Sequence, residues 1–285
     1  MSMYVNGYDQ KTGEFISEFH VKETIGERQK KIDSAVKRRQ TNEFYKEMVA
    51  KNGEFYFLFN RLNSLDEDKM EKQNYIRFLY LCTFMDRENI LIYKSEYITI
   101  GNLHEVLNLT KPVAKKTRIN LIENNLMSID SEGRLIINKE FCFKGKIEKE
   151  EKKSMKTRMF STAIRELYEQ SLPREHKKLS MLVTLLPYIS FHHNILCHEP
   201  EYEEKCKIKS MNLSEVADIL KYDLNQVSRL RKDLFALRVG GEEVVMVCTT
   251  DSAELIKINP KVYYRASDKT SFNGLEDEFS IKNKK

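Results

Sequence analysis

The chain has 285 residues, of which 41% are hydrophobic and 32% are charged, with a formal net charge of +5. This length allows two domains with separate hydrophobic cores, and the hydrophobic content is that of a globular protein. The modest positive charge permits nucleic acid as a partner without requiring it, and no apolar run approaches the ~20 residues that a membrane-spanning helix needs.

Residue usage predicts a mainly helical fold without disulfide bonds. The chain has only ten glycines and five prolines and is rich in Lys, Glu, Leu and Ile, which is typical of helical proteins. Its five cysteines include no CxxC pair, and this favours reduced thiols in a cytosol. The polar opening MSMYVNGYDQ does not resemble a signal peptide, so we expect a cytoplasmic protein.

Residues 1–60 are predicted to form an N-terminal arm and a helix. Polar and apolar residues alternate around Asn6-Gly7, which predicts a short hairpin or an extended arm. The charged run over residues 21–50 predicts a helix. We interpret its segment Lys37-Arg38-Arg39 as a solvated face, with phosphate contact as the alternative. After Asn52-Gly53, the aromatic segment EFYFLF predicts a strand.

The rest of the chain contains one pattern twice, at residues 61–146 and 179–265. Asn89-Ile90-Leu91 matches Asn194-Ile195-Leu196, and Ile137-Asn138 matches Ile258-Asn259. The offset grows from 105 to 121 residues in steps that fall in predicted loops. Insertions that concentrate in loops are expected for two copies of one fold.

Each copy is predicted to be a winged helix-turn-helix domain. A buried helix leads into a short strand, two helices follow at a turn, and a β-hairpin closes the unit. Residues 147–178 are rich in Lys and Glu and contain no Gly, which predicts a helical connector, and residues 266–285 predict a flexible tail. The predicted fold is mainly α with small β-hairpins (α+β), with two tandem winged helix-turn-helix domains.

The third helix of each copy is the candidate DNA-reading element. The i, i+3, i+7 spacing predicts a core-facing side, formed by Ala114, Thr117 and Leu121 in the first copy and by Val227, Leu230 and Leu234 in the second. On the outer side, Arg and Lys suit guanine edges, Asn and Gln suit adenine edges, and flanking cations suit phosphates. The candidate DNA-binding residues are Lys111, Lys115, Lys116, Arg118 and the hairpin residue Arg134 in the first copy, and Asn225, Gln226, Ser228, Arg229, Arg231 and Lys232 in the second.

Other interpretations of these surfaces stay open. An ordinary solvated helix face is also rich in Lys, Arg and Ser. An exposed Ile119 suits either a thymine methyl group or a protein partner. The second hairpin is acidic, so we expect it to contact another domain or subunit rather than phosphates. Its acidic residues are Glu242, Glu243, Asp251 and Glu254.

The sequence predicts neither a catalytic nor a metal site. His192, His193, Cys197 and His198 have a spacing that loosely allows a metal. The matching segment of the first copy, RENILIY, contains no His or Cys, so we interpret the cluster as structural. The segment Tyr263-Tyr264-Arg265 aligns with hydrophobic positions of the first copy and is interpreted as a core anchor. No Gly-rich phosphate loop, GxSxG or HExxH motif occurs, and we expect neither an enzyme nor a cofactor.

The first half resembles the RepL-type replication initiators of Gram-positive plasmids. The resemblance rests on the opening DQKTGEFI, the segment NEFYK and the closing LIINKEFCFKGK, and it covers roughly residues 8–146. The family's proline is absent after Asn138 and present after Asn259. The tandem pair is also similar to the larger two-winged-helix initiators. These resemblances imply repeated origin sequences as the target and host replication proteins as partners.

The sequence therefore predicts a sequence-specific double-stranded DNA-binding protein of a plasmid or phage. Replication initiation is the first hypothesis for its role. Transcriptional regulation of a phage or mobile element, together with host transcription proteins, is the second. A winged-helix protein–protein adaptor is the third. A homodimer through the N-terminal arm or the EFYFLF segment stays open, and no membrane is expected as a partner.

Overall fold

The computed structural model describes residues 3–8, 11–12, 14–21, 24–65, 69–145, 156–201, 204, 207–249, 254–266 and 269–282. These residues form helices and small antiparallel sheets, in agreement with the predicted α+β class. The chain divides into two compact units, Met1–Glu47 and Met48–Lys285. Both copies of the sequence pattern, and the elements between them, belong to the second unit.

The first unit is a hairpin followed by a long helix, as the sequence predicts. Strands β1 (Met3–Tyr8) and β2 (Phe15–Val21) pair antiparallel. Helix α1 (Ile25–Asn52) begins in this unit and ends in the second. A capping box opens α1: the Glu27 N–H donates to the Thr24 hydroxyl at 3.2 Å, and the Thr24 N–H donates to the Glu27 carboxylate at 2.9 Å. These bonds satisfy amides that the first helical turn leaves without partners.

The second unit contains the two copies and the elements that precede, connect and follow them. Strand β3 (Phe55–Phe59) precedes the first copy. The first copy contains α2 (Lys72–Cys82), β4 (Ile92–Tyr93), β5 (Glu96–Tyr97), α3 (Leu103–Val106), α4 (Lys111–Glu123), β6 (Met127–Ile129), β7 (Leu135–Ile137) and β8 (Cys142–Phe143). The segment between the copies contains β9 (Lys156–Phe160) and α5 (Ser161–Glu169). The second copy contains α6 (His176–Leu185), α7 (Leu213–Ile219), α8 (Val227–Phe235), β10 (Arg238–Val239), β11 (Glu242–Glu243), β12 (Val245–Thr249), β13 (Glu254–Ile258) and β14 (Tyr263–Tyr264), and α9 (Lys269–Lys282) follows it.

A four-stranded antiparallel sheet joins the two copies. Its order is β14-β9-β3-β8, so each copy contributes its last strand, and the strand that precedes each copy lies in the centre. Antiparallel neighbours are related by a local twofold axis, and in β3 and β9 this axis passes through the pair Phe57–Arg158. Residue pairs that join a central strand to its outer neighbour then occupy equivalent places on the two sides of this axis. They are Leu58–Cys142 and Met159–Tyr263.

Helices α2 and α6 pack on each other, and Leu79 of α2 and Leu182 of α6 lie beside Met159 and Tyr263 on one face of this sheet. The Tyr56 hydroxyl of β3 donates to the carbonyl of Leu79 at 3.0 Å, and the Tyr263 hydroxyl of β14 donates to the carbonyl of Leu186 at 3.3 Å. These buried bonds satisfy phenol groups that would be costly to bury without partners. They fix the first helix of each copy against its own side of the sheet.

The internal duplication extends to individual hydrogen bonds of two buried asparagines. Asn89 and Asn194 are fully buried, and both have a positive φ, of 68° and 49°. Each side-chain amide donates two hydrogen bonds, which connect the segment after the first helix of its copy to the end of the hairpin and to the last strand. The acceptors are the carbonyls of Ile137 (3.1 Å) and Cys142 (2.7 Å) in the first copy, and of Ile258 (3.1 Å) and Tyr263 (2.8 Å) in the second.

A second pair of asparagines is duplicated in the same way. The side-chain amide of Asn138 donates to the carbonyl of Asn125 at 2.8 Å, and that of Asn259 donates to the carbonyl of Glu243 at 3.1 Å. The Oδ1 atoms of both residues accept a backbone N–H two residues further along the chain, at 3.0 and 2.9 Å. The repeat therefore preserves both turn chemistry and hydrophobic positions.

The prediction of a helix throughout the segment between the copies is wrong for residues 156–160. These residues form β9, which has a strand partner on each side. The Arg158 guanidinium is buried and donates to the carbonyls of Arg265 (3.0 Å) and Ala266 (2.5 Å). Hydrogen bonds to two neighbouring strands outweigh the local helix propensity of the segment. Helix α5 follows at once, and residues 146–155 lie outside the described part of the chain.

The prediction of a flexible tail is also wrong for residues 269–282. They form α9, which buries Phe272, Leu275 and Phe279. The Phe272 ring lies 4.9 Å from the ring of Tyr264 and 6.4 Å from that of Phe160, on the sheet face opposite Tyr263. Three buried apolar residues at helical spacing explain why this segment folds.

Candidate nucleic-acid interface

Helices α3 and α4 form the predicted helix pair of the first copy. A turn that contains Asn108 at φ 48° separates them. Ala114, Thr117 and Leu121 are 3%, 1% and 0% exposed, so the predicted core-facing side of α4 is confirmed. Pro112 lies in the first turn, where a missing N–H costs no hydrogen bond.

The outer side of α4 is cationic and partly apolar. Lys111, Lys115 and Lys116 are exposed, and Arg118 is half-buried. The Lys116 ammonium lies 2.6 Å from the Glu71 carboxylate before α2, so a phosphate contact by Lys116 has to replace this ion pair. The other three cations form no salt bridge with any residue that the structure describes.

A buried polar network lies behind α4. Arg77 of α2 is 5% exposed, and its Nη1 donates to Asn74 Oδ1 at 3.0 Å and to Thr117 Oγ1 at 2.8 Å. Its Nε donates to Nδ1 of His176, at the start of α6, at 3.3 Å. Asn74 also donates to the Oδ1 atom of Asn120 at 2.8 Å. The network therefore links the candidate reading helix of one copy to the first helix of the other.

Sequence reasoning overlooked Arg77 and His176. A signal for Arg77 was available, because it stands within the apolar run YIRFLYLC of a helix predicted to be buried. Burial, followed by the nearby Arg77 charge, lowers the pKa of His176 to about 4. His176 is therefore neutral near pH 7, and its Nδ1 can accept the bond from Arg77.

In the second copy, the predicted core side of the reading helix is confirmed in part. Leu230 and Leu234 are fully buried, but Val227 is only half-buried, because α8 begins at this residue. Asn225 and Gln226 are exposed and precede α8 in a short 3₁₀ turn.

The remaining predicted residues lie on the outer side of α8. Ser228, Arg229, Arg231 and Lys232 are all exposed. Asp233 moderates this positive surface: its carboxylate contacts Lys178 of α6 at 2.8 Å and lies 3.9 Å from Arg229. The Arg231 guanidinium lies 5.7 Å from the centre of the Phe235 ring, which restrains its direction. Lys232 forms no salt bridge with a described residue.

Arg134, the candidate DNA-binding residue of the first hairpin, has close partners within its own copy. Its guanidinium lies 2.6 Å from the Asp130 carboxylate and 3.0 Å from that of Glu132. It also lies 4.9 Å from the centre of the Tyr97 ring. Two carboxylates hold the side chain within its own hairpin, and a DNA contact by Arg134 has to replace these ion pairs.

The second copy has two hairpins where the sequence predicts one. Strands β10 and β11 form a small hairpin after α8, and β12 and β13 form the longer one. Glu242 of β11 accepts a salt bridge from Lys261 at 2.7 Å, and Glu243 lies 3.8 Å from Arg238. These two acids therefore have partners within the copy. Asp251 lies outside the described residues.

The His- and Cys-rich segment holds ordinary structural contacts. Cys197 is fully buried, and burial raises its pKa to about 11. The His198 ring contacts the Glu215 carboxylate at 3.0 Å. Within the described ranges, no three His, Cys, Asp or Glu side chains lie close enough together to hold a metal ion.

Comparisons of the chain with protein-family models, with curated proteins and with solved structures found no match. Among the described residues, no helix has the length and apolar character required to cross a membrane.

Proposed function

We propose that the chain is a sequence-specific double-stranded DNA-binding protein in which each copy is a winged helix-turn-helix domain. The observation that carries this proposal is the duplication. Each copy places two helices at a turn before a hairpin, and the second of these helices has a polar, cationic outer side. A helix with such a side fits the major groove.

The two copies have different tasks in this proposal. In the second copy, Ser228, Arg229 and Lys232 suit base edges, because exposed side chains on consecutive turns can follow the groove. In the first copy, Lys111 and Lys115 suit phosphates, which bind cations without regard to sequence. The second copy therefore supplies most of the specificity and the first supplies register and affinity.

The local twofold axis in the central sheet supports one arrangement of the target. Twofold-related reading units match half-sites related by the twofold symmetry of the duplex. The chain would then act as a covalent dimer, with half-sites about 10 base pairs apart if both units lie on one side of the duplex. Because the two outer surfaces differ, the half-sites should differ in sequence.

Replication initiation of a plasmid or phage is the biological role that we place first, because of the resemblance to plasmid initiators. Regulation of transcription in a phage or mobile element uses the same residues and differs in what is recruited. The position of the binding site separates the two roles. Repeats beside an AT-rich tract favour initiation, and overlap with a promoter favours regulation.

The binding test selects bound sequences from random duplexes and then footprints the selected site. Arg229→Ala combined with Lys232→Ala should weaken specific binding about a hundredfold, since each base contact is worth about 1–3 kcal/mol. The control, Lys139→Ala with Lys209→Ala, removes two exposed lysines elsewhere and should change affinity less than threefold. Affinity should also fall steeply with salt. An unchanged footprint in the first variant would refute the assignment of α8.

A protein–protein adaptor is the second candidate. Val113 and Ile119 of α4 are each 39% exposed, and apolar side chains on this face suit a protein surface. An adaptor predicts no binding to DNA, or weak binding that salt does not change. The selection experiment above distinguishes the two candidates without further variants.

A further inference from the structure

A cleft of about 720 Å³ lies beside α6 in the second unit and borders the outer side of α8 at Gln226 and Arg229. Its walls are α6 and the turn after it, the N-terminal end of α2, and the segment from the end of α7 to the middle of α8. This volume falls within the range of small-molecule sites, about 300–1,000 Å³. The cleft is large enough to hold a ligand rather than a few water molecules.

The lining of the cleft combines polar residues with apolar and aromatic ones. Tyr75 and Met181 are buried, and the rings of Tyr188 and Tyr222 are half-buried at its sides. The Tyr222 hydroxyl contacts the Met181 sulfur at 3.4 Å, which holds that ring in place. Half-buried rings offer flat surfaces on which a planar group can stack.

The rim of the cleft is strongly basic. Six basic residues and two acidic residues line it: Lys72, Arg174, Lys177, Lys178, Lys221 and Arg229, with Asp223 and Asp233. Asp233 already holds Lys178 at 2.8 Å and lies 3.9 Å from Arg229. Asp223 accepts the N–H of Asn225 at 3.1 Å. The exposed cations of α2 and of the turn before α6 therefore leave the rim with an excess of positive charge.

We infer that this cleft binds a nucleoside phosphate, with the base on the tyrosine walls and the phosphate at the cationic rim. Stacking on an aromatic ring is worth about 1–3 kcal/mol per base, and the rim offers charge-assisted bonds to phosphate oxygens. A free nucleotide and the nucleotides of a single strand have this same chemistry. The cleft shares Gln226 and Arg229 with the proposed duplex surface, and its tyrosines and its other basic residues lie outside that surface.

The test is a binding titration with three probes: etheno-ATP, a single-stranded octathymidylate and inorganic phosphate. The rim variant is Arg174→Glu with Lys177→Glu, and the control is Lys139→Glu with Lys209→Glu, which changes net charge by the same amount. All four residues are exposed, so both variants should fold like the parent chain, and circular dichroism checks this. Arg229 is left unchanged, because it also belongs to the proposed duplex surface.

We expect the rim variant to weaken binding of the nucleotide or the single strand at least tenfold, and the control to change it less than twofold. Tyr188→Leu should weaken binding at least fivefold, because it removes a stacking surface. Binding of etheno-ATP assigns the site to a free nucleotide, and binding of the octathymidylate alone assigns it to a single strand. The proposal would be overturned by no binding of either probe at millimolar concentration, by equal losses in rim variant and control, or by inorganic phosphate competing as well as the nucleotide. Preference for a duplex of the same length would overturn it too.

Discussion

Neutral His176 makes the stability of the second unit depend on pH. Its Nδ1 accepts a bond from the buried Arg77, and protonation would place two cations against each other, with only a smaller opposing effect from the Glu175 carboxylate. Burial and Arg77 lower the pKa of His176 from 6.5 to about 4. The unfolded chain therefore takes up this proton first as pH falls. The contribution of neutral His176 to the free energy of unfolding is therefore fully present above about pH 6.5, and it is lost as the pH falls from there towards about 4.

The magnitude follows from the two pKa values. The full shift corresponds to about 3 kcal/mol, and lowering the pH from 7 to 5 should cost about 2 kcal/mol through this residue alone. The control is His176→Asn, whose Oδ1 can accept the same bond from Arg77 but does not titrate. The variant loses ring contact with Tyr168 at both pH values, so that cost cancels in the comparison.

The measurement is urea unfolding of parent and variant at pH 7 and pH 5, followed by circular dichroism. The parent should lose about 2 kcal/mol more than the variant between the two pH values. The other five histidines are common to both proteins, and their contributions cancel. Equal losses in parent and variant would show that His176 is not held neutral by Arg77 and burial.

Four further substitutions test the duplication and the packing around β3. Asn89→Ala and Asn194→Ala should each cost about 3 kcal/mol, since both remove two buried bonds at a positive φ, and clearly unequal losses would contradict their structural equivalence. Gly53→Ala should cost more than 2 kcal/mol, because its φ is 82° and a Cβ atom would lie 2.3 Å from the Thr162 hydroxyl oxygen. Gly133→Ala has a similar φ and open space, so it should cost only about 1 kcal/mol, and equal losses at both glycines would exclude the steric contribution. Thermal and urea unfolding measure all of these.

The sequence determined the repeat and the local elements within it. The spacing of Ala114, Thr117 and Leu121 predicted the buried side of α4, because residues at i, i+3 and i+7 lie on one face of a helix with 3.6 residues per turn. The matching segments that contain Asn89 and Asn194 predicted that these residues are equivalent, and their hydrogen bonds agree with this prediction. Such local patterns need no knowledge of distant segments.

The tertiary structure decided how the copies are joined and which charges remain exposed. Residues 156–160 form a strand only because β3 and β14 supply partners about 100 residues away in the chain on either side, and no local period encodes such pairing. Arg134 and Arg77 have the same charge in the sequence, yet one is held by two carboxylates and the other is buried among neutral groups. The partners of a charged side chain depend on which elements pack together, and the sequence of a single segment does not contain that information.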